Sequence, residues 1–401
     1  MSDFNKDFGE YKKDLDKASK DENINRALGR AVKSYRENTD AALAKYPHTL
    51  ALAEEVRGIK DYSMENNKQL LDQAMKVIES NHGKAFYAED REAAIRIANE
   101  IIGTGKVIVK GKSMLGEELK LREGLEEAGN EVWETDLGEF ILQLKKDRPM
   151  HILSPAIHVP REQVAEIFSK FFNKEVPPDI AEEVAVVREF LREKYFTADV
   201  GISGANVVAA DTGQIVIIEN EGNVRLCTGA PPVHIAIVGI EKLVPTFLDA
   251  MKTAEVTWRY ANYGAPGYVN IISGPSKTGD IEKVTTYGAH GPKEFYVIFV
   301  DNGRSKMMAD KNYRQALHCL RCGGCMYECP VFQVTAGHFG RTYLSGIGSV
   351  WESFVDSVDA AAPMLYTCLR CGRCVERCPM KIEVPTMVGK LRSEVVSDDT
   401  E

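Results

Sequence analysis

The chain has 401 residues, of which 44% are hydrophobic and 27% are charged, and its formal net charge is −9 at pH 7. This length allows two or three domains with buried cores, and the composition is that of an ordinary globular protein. An acidic chain without a visible basic face is a poor match to a nucleic-acid-binding protein, so we expect no nucleic-acid partner.

The first residues mix charged and polar side chains without an apolar segment behind a basic start, so we expect no secretory signal peptide. No run of about 18 apolar residues occurs in the sequence, which predicts that no helix spans a membrane. We therefore expect a cytoplasmic protein that reaches a membrane only through a partner subunit.

Residues 1–63 are polar and rich in lysine and alanine, and their apolar positions recur at roughly helical spacing. This pattern predicts a helical arm of two helices, with Pro47 at their junction or at the start of the next helix. We interpret the arm as a docking segment or an N-terminal cap.

Residues 64–303 alternate between helical and strand patterns, which predicts one large α/β domain. Helices are predicted at residues 67–80, 91–102, 116–128 and from 161 onward, and strands at residues 85–87, 106–109, 131–134, 151–153, 214–218, 233–238, 269–272 and 295–300. Such alternation is typical of a mostly parallel sheet covered by helices on both faces.

Residues 304–401 are predicted to form an α-helical domain, entered through the polar segment 301–312 and containing a helix at residues 349–362. Eight of the nine cysteines of the chain lie here in two groups, each with the spacing C-x2-C-x2-C-x3-C-P. A disulfide framework would scatter cysteines, and a zinc ribbon uses separated C-x2-C pairs. The observed spacing is that of bacterial ferredoxins, so the sequence predicts two [4Fe–4S] clusters.

The spacing also predicts which cysteines share a cluster, because the fourth cysteine of each motif, followed by proline, ligates the other cluster. We expect one cluster to be held by Cys319, Cys322, Cys325 and Cys378, and the other by Cys368, Cys371, Cys374 and Cys329. Every iron then has a thiolate ligand, which favours electron transfer over substrate activation.

Four arginines lie among the predicted ligands, namely Arg321, Arg370, Arg373 and Arg377. They could offset the negative charge of the clusters, dock a partner, or form a solvated basic rim. No GxGxxG loop follows a predicted strand and opens a helix, so we expect neither a flavin nor a nicotinamide site in this chain. A partner would then supply the acceptor for any two-electron oxidation.

Loops at the ends of several predicted strands indicate a ligand pocket in the α/β domain, because ligands bind beyond the carboxyl ends of parallel strands. Lys112 and Lys277 would supply positive charge to an anionic ligand, and Ser276 a hydroxyl group. Glu221 and His290 complete the candidate catalytic residues, although Asn, Gly and Pro in the same loops are also common turn formers. We expect His158, His234 and Cys227 to be buried and inert.

Eight ordered stretches carry a family resemblance, at residues 110–114, 134–139, 155–158, 201–206, 219–223, 239–242, 274–280 and 290–292. Together with the cysteine motifs they resemble the lactate-utilization iron–sulfur proteins of the B type, one component of a three-part system, whose α/β part is the LUD domain. The helical module with its long spacer resembles the two-cluster module of succinate dehydrogenase and heterodisulfide reductase iron–sulfur subunits.

The resemblance implies the fold of ribose-5-phosphate isomerase and class I CoA transferases, and a role in the oxidation of L-lactate to pyruvate in the cytoplasm. It implies two partners, a subunit with a cysteine-rich domain and a second LUD subunit. Related CoA transferases use a glutamate at a strand end as nucleophile, but the match around Glu221 is too short to transfer that role. The chain ends 23 residues after Cys378, where a further C-terminal region is expected in the family.

Three functions remain open from the sequence. We expect a non-catalytic electron-transfer subunit of a lactate dehydrogenase-type complex that does not use NAD. Alternatively, the chain relays electrons from another dehydrogenase or an electron-transferring flavoprotein to a quinone or disulfide-type acceptor. In the third, the LUD domain binds a ligand or performs catalysis, and the clusters tune it.

Overall fold

The structure, a computed structural model, describes residues 2–398. Its helices are α1 (Ser2–Ser19), α2 (Glu22–Lys45), α3 (His48–Glu65), α4 (Asn67–Ser80), α5 (Arg91–Ile102), α6 (Met114–Leu119), α7 (Leu121–Glu127), α8 (Leu137–Lys145), α9 (Arg161–Phe172), α10 (Ile180–Thr197), α11 (Asn223–Gly229), α12 (Phe247–Tyr260), α13 (Arg304–Ala309), α14 (Gly324–Glu328), α15 (Phe332–Thr335), α16 (Ser345–Val355), α17 (Val358–Thr367), α18 (Arg373–Arg377) and α19 (Val384–Asp398). Short 3-10 helices lie at Ile240–Lys242, Arg314–His318 and Ala336–His338.

The strands are β1 (Lys84–Ala88), β2 (Val107–Lys110), β3 (Glu131–Glu134), β4 (Val200–Ser203), β5 (Val207–Ala209), β6 (Ile215–Glu219), β7 (Val233–Gly239), β8 (Leu243–Val244), β9 (Tyr268–Ile272), β10 (Lys277–Thr278), β11 (Thr286–Tyr287) and β12 (Glu294–Val300). Six of them form a sheet in the order β1-β12-β7-β4-β2-β3, and every neighbouring pair is parallel. The α/β domain with a parallel sheet is thus confirmed. A smaller sheet, β8-β5-β6-β9, and the hairpin β10-β11 complete it.

Alternate residues of β12 pack on opposite faces of the parallel sheet, as the two-residue period of a strand requires. Ile298 lies in one cluster with the small residues of α5, including Ala94 and Ala98. Phe299 lies in another with Ile78 of α4 and with residues of the smaller sheet. Both faces are therefore covered, and only the strand ends are available to form a site.

Four predicted segments differ from the structure. The N-terminal 60 residues contain three helices rather than two, and Pro47 caps the third. The predicted helix at 116–128 breaks at Lys120, whose backbone is left-handed (φ 50°). The predicted helix at 349–362 is two helices, because the Ser357 hydroxyl accepts a hydrogen bond from the backbone of Ala360 and starts a new one.

The predicted strand at residues 151–153 was wrong, since this segment bends outside both sheets. His151 Nδ1 accepts hydrogen bonds from the backbone N–H groups of Leu153 (3.0 Å) and Ser154 (3.4 Å), which curls the chain. The His151 ring stacks on Tyr327, with 4.2 Å between centroids. The apolar segment is therefore buried against the cysteine-bearing region rather than in the sheet.

The three residues expected to be inert have ordinary structural partners. Cys227 is fully buried beside the Thr135 hydroxyl (3.3 Å), and burial raises the pKa of its thiol to about 12. His234 is buried with its Nε2 2.8 Å from Ser203 Oγ, and burial lowers its pKa to about 3. His158 contacts Asp147 Oδ2 at 3.1 Å.

The region that begins at α13, which we call the cysteine module, is joined to the α/β domain by a buried ion network. The Arg304 guanidinium donates to Glu118 on α6 through both terminal nitrogens (2.8 Å each) and through Nε to Glu241 after β7 (2.6 Å). Tyr343 also donates its hydroxyl to Glu118. Although burial alone would raise it, Arg304 and other nearby cations lower the pKa of Glu241 to about 2.

A glycine makes this network possible. A Cβ on Gly239 would lie 2.0 Å from Glu241 Oε2 and 2.7 Å from Arg304 Nε, so only glycine leaves room for the pair. Gly303 (φ 87°) approaches the carbonyl of Phe354 almost as closely, since a Cβ on it would lie 2.2 Å from that oxygen.

Among the helices formed by residues 2–398, none has the length and hydropathy needed to cross a membrane.

The change Glu118→Gln keeps the side-chain shape but removes the carboxylate that faces Arg304. Removing one partner of a buried ion pair costs about 3–5 kcal/mol, so we expect the free energy of unfolding to fall by that amount. The control is Glu37→Gln, which removes one member of the exposed Lys33–Glu37 pair (3.9 Å) and should change stability little. Equal denaturant midpoints for the two variants would contradict this role of the network.

Candidate iron–sulfur and ligand site

The structure brings Cys378 next to the first three cysteines of the first motif. Cys319, Cys322, Cys325 and Cys378, which we call the inner quartet, line one cavity of about 40 Å³. Cys329, Cys368, Cys371 and Cys374, the outer quartet, line a second cavity of about 20 Å³. Each cavity thus contains the four cysteines that the crossed assignment groups together, with one cysteine of the other quartet beside them, and the ligand sets themselves stay a prediction.

The two cavities adjoin, because Cys325 and Cys374 line both of them. Among residues 2–398, no three His, Cys, Asp or Glu side chains are placed to hold a single metal ion. The quartets instead surround spaces, each with the donor set of a cubane cluster.

Backbone geometry repeats between the two motifs. Gly323 (φ 77°) and Gly372 (φ 83°) take the left-handed conformation that glycine adopts most easily, and each begins the short helix carrying the third cysteine. Arg321 (φ 62°) and Arg370 (φ 53°) are left-handed as well. The glycines therefore let the backbone turn around each site.

Backbone N–H groups point at several of the sulfurs. Gly324 donates to Cys322, and residues just after Pro379 donate to Cys378. Residues 331 and 332 donate to Cys329 in the same way. Such hydrogen bonds stabilise thiolates and tune the potential of a bound cluster. The Cys-Pro turn therefore serves to direct N–H groups at the fourth ligand of each quartet.

Burial of the thiols means that each site needs a positive charge to keep its cysteines deprotonated. It raises the pKa of Cys322 and Cys374 to about 12 and that of Cys378 to about 11, so the thiols would stay protonated alone. Iron would supply the positive charge that keeps them as thiolates. The two sets of four thiols and the N–H groups aimed at them therefore fit [4Fe–4S] clusters.

The quartets differ in how they are covered. The N-terminal arm covers the inner quartet, since Tyr35 of α2 stacks on Tyr327 (4.8 Å between centroids) and donates to the backbone carbonyl of Tyr260 (2.9 Å). Arg36 binds Glu328 through two hydrogen bonds of 3.0 and 2.7 Å. Helix α2 therefore forms a cap over the inner quartet.

The outer quartet, in contrast, is at the surface. Cys371 is exposed, and the neighbouring Leu369 side chain is 65% exposed. Arg370 and Arg373 are exposed beside them. The outer quartet is therefore the one that a partner protein can approach.

The other two arginines of the motifs do not belong to a solvated rim. Arg377 pairs with Asp40 of the arm (2.7 Å) and lies over the Tyr35 ring. Arg321 packs its guanidinium over the rings of Trp351 (3.9 Å) and Tyr343 (4.5 Å).

A third cavity, of about 260 Å³, lies at the carboxyl ends of the parallel strands, and we call it the ligand cavity. Lys112 follows β2 and lines it, but its ammonium already binds Asp136 (2.7 Å) and the carbonyl of Leu153 (3.2 Å). Glu221 lines its edge and also an open groove of about 790 Å³ on the outer side of the domain. This is where ligands bind in open α/β sheets.

The remaining candidates from the sequence lie elsewhere. His290 lines the outer groove with Glu221. Ser276 and Lys277 lie at the start of the β10-β11 hairpin, and neither lines the ligand cavity or the groove. The residues of the sequence-based pocket are thus divided among three places: the ligand cavity, the outer groove and the hairpin.

Sequence reasoning missed several residues of the ligand cavity. Lys242, Arg321 and Tyr343 line it, although they lie far apart in the chain. The only signal was that residues 239–242 belong to a stretch that carries the family resemblance, because nothing local indicates that Lys242 and Arg321 meet.

The crossed assignment predicts the effect of Cys378→Ser. We expect it to perturb the cluster held by Cys319, Cys322 and Cys325, and Cys329→Ser, the matched control, to perturb the other cluster. Electron paramagnetic resonance of the reduced protein distinguishes the two. If Cys378→Ser lost only the signal of the cluster held by Cys368, Cys371 and Cys374, the assignment would be contradicted.

The arm predicts a second effect. Tyr35→Ala removes the ring that covers α14 at Gly324, so oxygen and water should reach the inner quartet more easily. We expect faster bleaching of the iron–sulfur absorption in air than for the wild type. Tyr62→Ala, at an exposed tyrosine of α3, is the control and should bleach at the wild-type rate. Equal rates for both variants would show that the arm does not shield the site.

Comparison with known proteins identifies both parts of the chain. Residues 71–300 match the LUD domain, and residues 315–382, which contain all eight cysteines of the two motifs, match the 4Fe-4S dicluster domain. A solved DUF162 family protein from Deinococcus radiodurans covers 58% of this chain and 98% of its own at a TM-score of 0.33 and 14% identity, too weak a likeness to carry an argument.

Lactate utilization protein B 1 of Bacillus mycoides is 36% identical over 363 residues, 89% of this chain and 73% of that protein. Lactate utilization protein B of Shouchella clausii is 33% identical over 392 residues, 95% of this chain and 80% of that protein. The uncharacterized electron transport protein YkgF of Escherichia coli is 36% identical over 297 residues, 73% of this chain, and the match spans 60% of its length. The chain therefore belongs to the LUD-domain family of lactate utilization protein B.

Proposed function

We propose that this chain is an iron–sulfur electron-transfer subunit of a cytoplasmic system that oxidises L-lactate to pyruvate. Two [4Fe–4S] clusters, when bound, would supply its one-electron carriers. The observation that carries the proposal is the order of the sites: ligand cavity, inner quartet, outer quartet, surface. The names of the relatives, lactate utilization protein B and electron transport protein, support the same function.

The ligand cavity and the inner quartet are contiguous. Ile152, Arg321 and Tyr343 line both the ligand cavity and the cavity of the inner quartet. Cys325 and Cys374 in turn line both quartet cavities. One row of side chains therefore connects the strand ends of the α/β domain to the exposed Cys371.

Each of the three parts of the chain contributes to the connection between the ligand cavity and Cys371. The helical arm, residues 1–63, excludes water from the inner quartet through Tyr35. The LUD domain, residues 64–303, supplies the ligand cavity, and residues 304–401 supply both quartets. The exposed surface around Leu369 and Cys371 leaves the outer quartet open to an electron acceptor.

Oxidation of a hydroxy acid removes two electrons and two protons, and a flavin or comparable acceptor would come from a partner. The partners we propose are a cysteine-rich-domain subunit and a second LUD subunit, since the relatives are named as one lettered protein of a set. A relay between an electron-transferring flavoprotein and another acceptor would use the same surface, and the partners distinguish the two.

The test is anaerobic purification of the native complex, identification of its subunits by mass spectrometry, and addition of L-lactate. We expect the iron–sulfur absorption to bleach with L-lactate, and not with D-lactate as the control. Bleaching by dithionite alone, in a complex with full iron content, would contradict the lactate function. An electron-transferring flavoprotein in that complex, in place of the cysteine-rich-domain subunit and the second LUD subunit, would assign the chain to the alternative relay.

A further inference from the structure

Among the residues that the structure describes, the ligand cavity contains two cations that form no direct ion pair, Arg321 and Lys242, and both lie near the Glu241 carboxylate that Arg304 already binds. We propose that it is a binding site for a small carboxylate bearing a hydroxyl or keto group, held by Arg321 and Lys242 beside the inner quartet. The proposal deepens the proposed function and rests on it for the cluster in that quartet.

The cavity floor is built from the carboxyl ends of parallel strands, and two glycines lie at these ends. A Cβ on Gly204, just after β4, would lie 2.9 Å from Ser113 Oγ. A Cβ on Gly239, at the end of β7, would collide with Glu241. Glycine at both positions therefore lets the side chains that line the cavity pack closely against the strand ends.

Two of the four cations that line the cavity are already neutralised. Arg304 is paired with Glu118 and Glu241, at 2.6 to 2.8 Å. Lys112 is paired with Asp136 at 2.7 Å. Glu118 also accepts hydrogen bonds from Tyr343 and Asn302, so its carboxylate is fully engaged within the network.

Arg321 and Lys242 differ from these. Within residues 8–396, neither side chain makes a hydrogen bond or an ion pair with another residue, and both line the cavity. The stacking of Arg321 over Trp351 and Tyr343 fixes the plane of its guanidinium without using its N–H groups. A guanidinium held in this way is preorganised to bind a carboxylate through two parallel hydrogen bonds.

The other polar residues of the cavity and its size restrict the ligand. Asn206, whose Oδ1 accepts a hydrogen bond from the backbone of Ile218 (2.8 Å), and Glu221 also line the cavity. The Asn206 amide group can donate to a hydroxyl or keto oxygen, and the Glu221 carboxylate can accept from a hydroxyl. The volume of about 260 Å³ falls below the roughly 300–1,000 Å³ of pockets that bury drug-sized molecules. A small organic acid fits, and a dinucleotide does not.

The competing explanation is that the two cations only balance the charge of the inner cluster, since Arg321 and Lys242 both interact with Cys319. The two explanations predict different results. Charge balance requires no ligand, whereas a carboxylate site requires saturable binding that depends on both cations.

The experiment is isothermal titration calorimetry of pyruvate and L-lactate into the full chain, purified anaerobically with its clusters. We expect saturable binding by the wild type and binding at least tenfold weaker in Lys242→Gln and Arg321→Gln. Lys242→Arg keeps the charge and should bind like the wild type, which separates a lost contact from a damaged fold. Lys33→Gln, an exposed lysine of α2, is the control and should bind normally.

A second readout is the electron paramagnetic resonance signal of the reduced inner cluster. Pyruvate should shift this signal in the wild type and not in Lys242→Gln, with the iron content of both proteins equal. Lack of binding, or equal binding by the wild type and both Gln variants, would overturn the proposal. If the wild type binds neither acid but the cluster signal changes in Lys242→Gln or Arg321→Gln, the carboxylate site is overturned and the two cations balance the charge of the cluster.

The outcomes also separate this proposal from the function of the complex. Carboxylate binding by a chain whose native complex is not reduced by lactate would support the site and refute the lactate function. Reduction of the complex by lactate without any binding to the chain would refute the site and leave the function standing.

Discussion

The buried contact of Arg304 with Glu118 and Glu241 is the interaction on which the rest of the structure depends. It joins the first residues of the cysteine module to helix α6 and to the 3-10 helix that follows β7. Burying charges is costly unless each is paired and hydrogen-bonded, and here each carboxylate is. Because Tyr343 hydrogen-bonds to Glu118 and supports Arg321, the network also sets the wall shared by the ligand cavity and the inner quartet.

This arrangement gives the two quartets different environments. One is enclosed by the α/β domain and by the helical arm, and the other reaches solvent at Cys371. An electron carrier needs an enclosed end, where chemistry is protected from water and oxygen, and an open end, where a partner can approach. The asymmetry follows from the order of the chain, since the second motif comes last and lies farther from the sheet.

Features with a local signature could be predicted from the sequence. The parallel sheet follows from alternating periodicities, and the cysteine grouping follows from a spacing that few other sites use. The bend at residues 151–153 could not be predicted, because His151 stacks on Tyr327, which lies 176 residues later in the chain. Local propensity cannot anticipate a contact at that separation.

The same limit applies to the ligand cavity. A loop at a strand end is visible in the sequence, but its direction is not, so Lys277 and Lys112 could not be told apart as surface and cavity residues. Arg321 was visible as one of four equivalent arginines, and only packing on Trp351 distinguishes it from the exposed Arg373. Which cations of the ligand cavity form ion pairs is decided by the fold, and it cannot be read from the sequence.

The central claim is that two clusters lie side by side in one chain and connect the ligand cavity to the surface. Iron analysis combined with electron paramagnetic resonance of the fully reduced protein tests it most directly. We predict about eight iron atoms per chain and a spectrum broadened by magnetic interaction between two neighbouring reduced clusters. About four iron atoms per chain, or two spectra that do not interact, would contradict it.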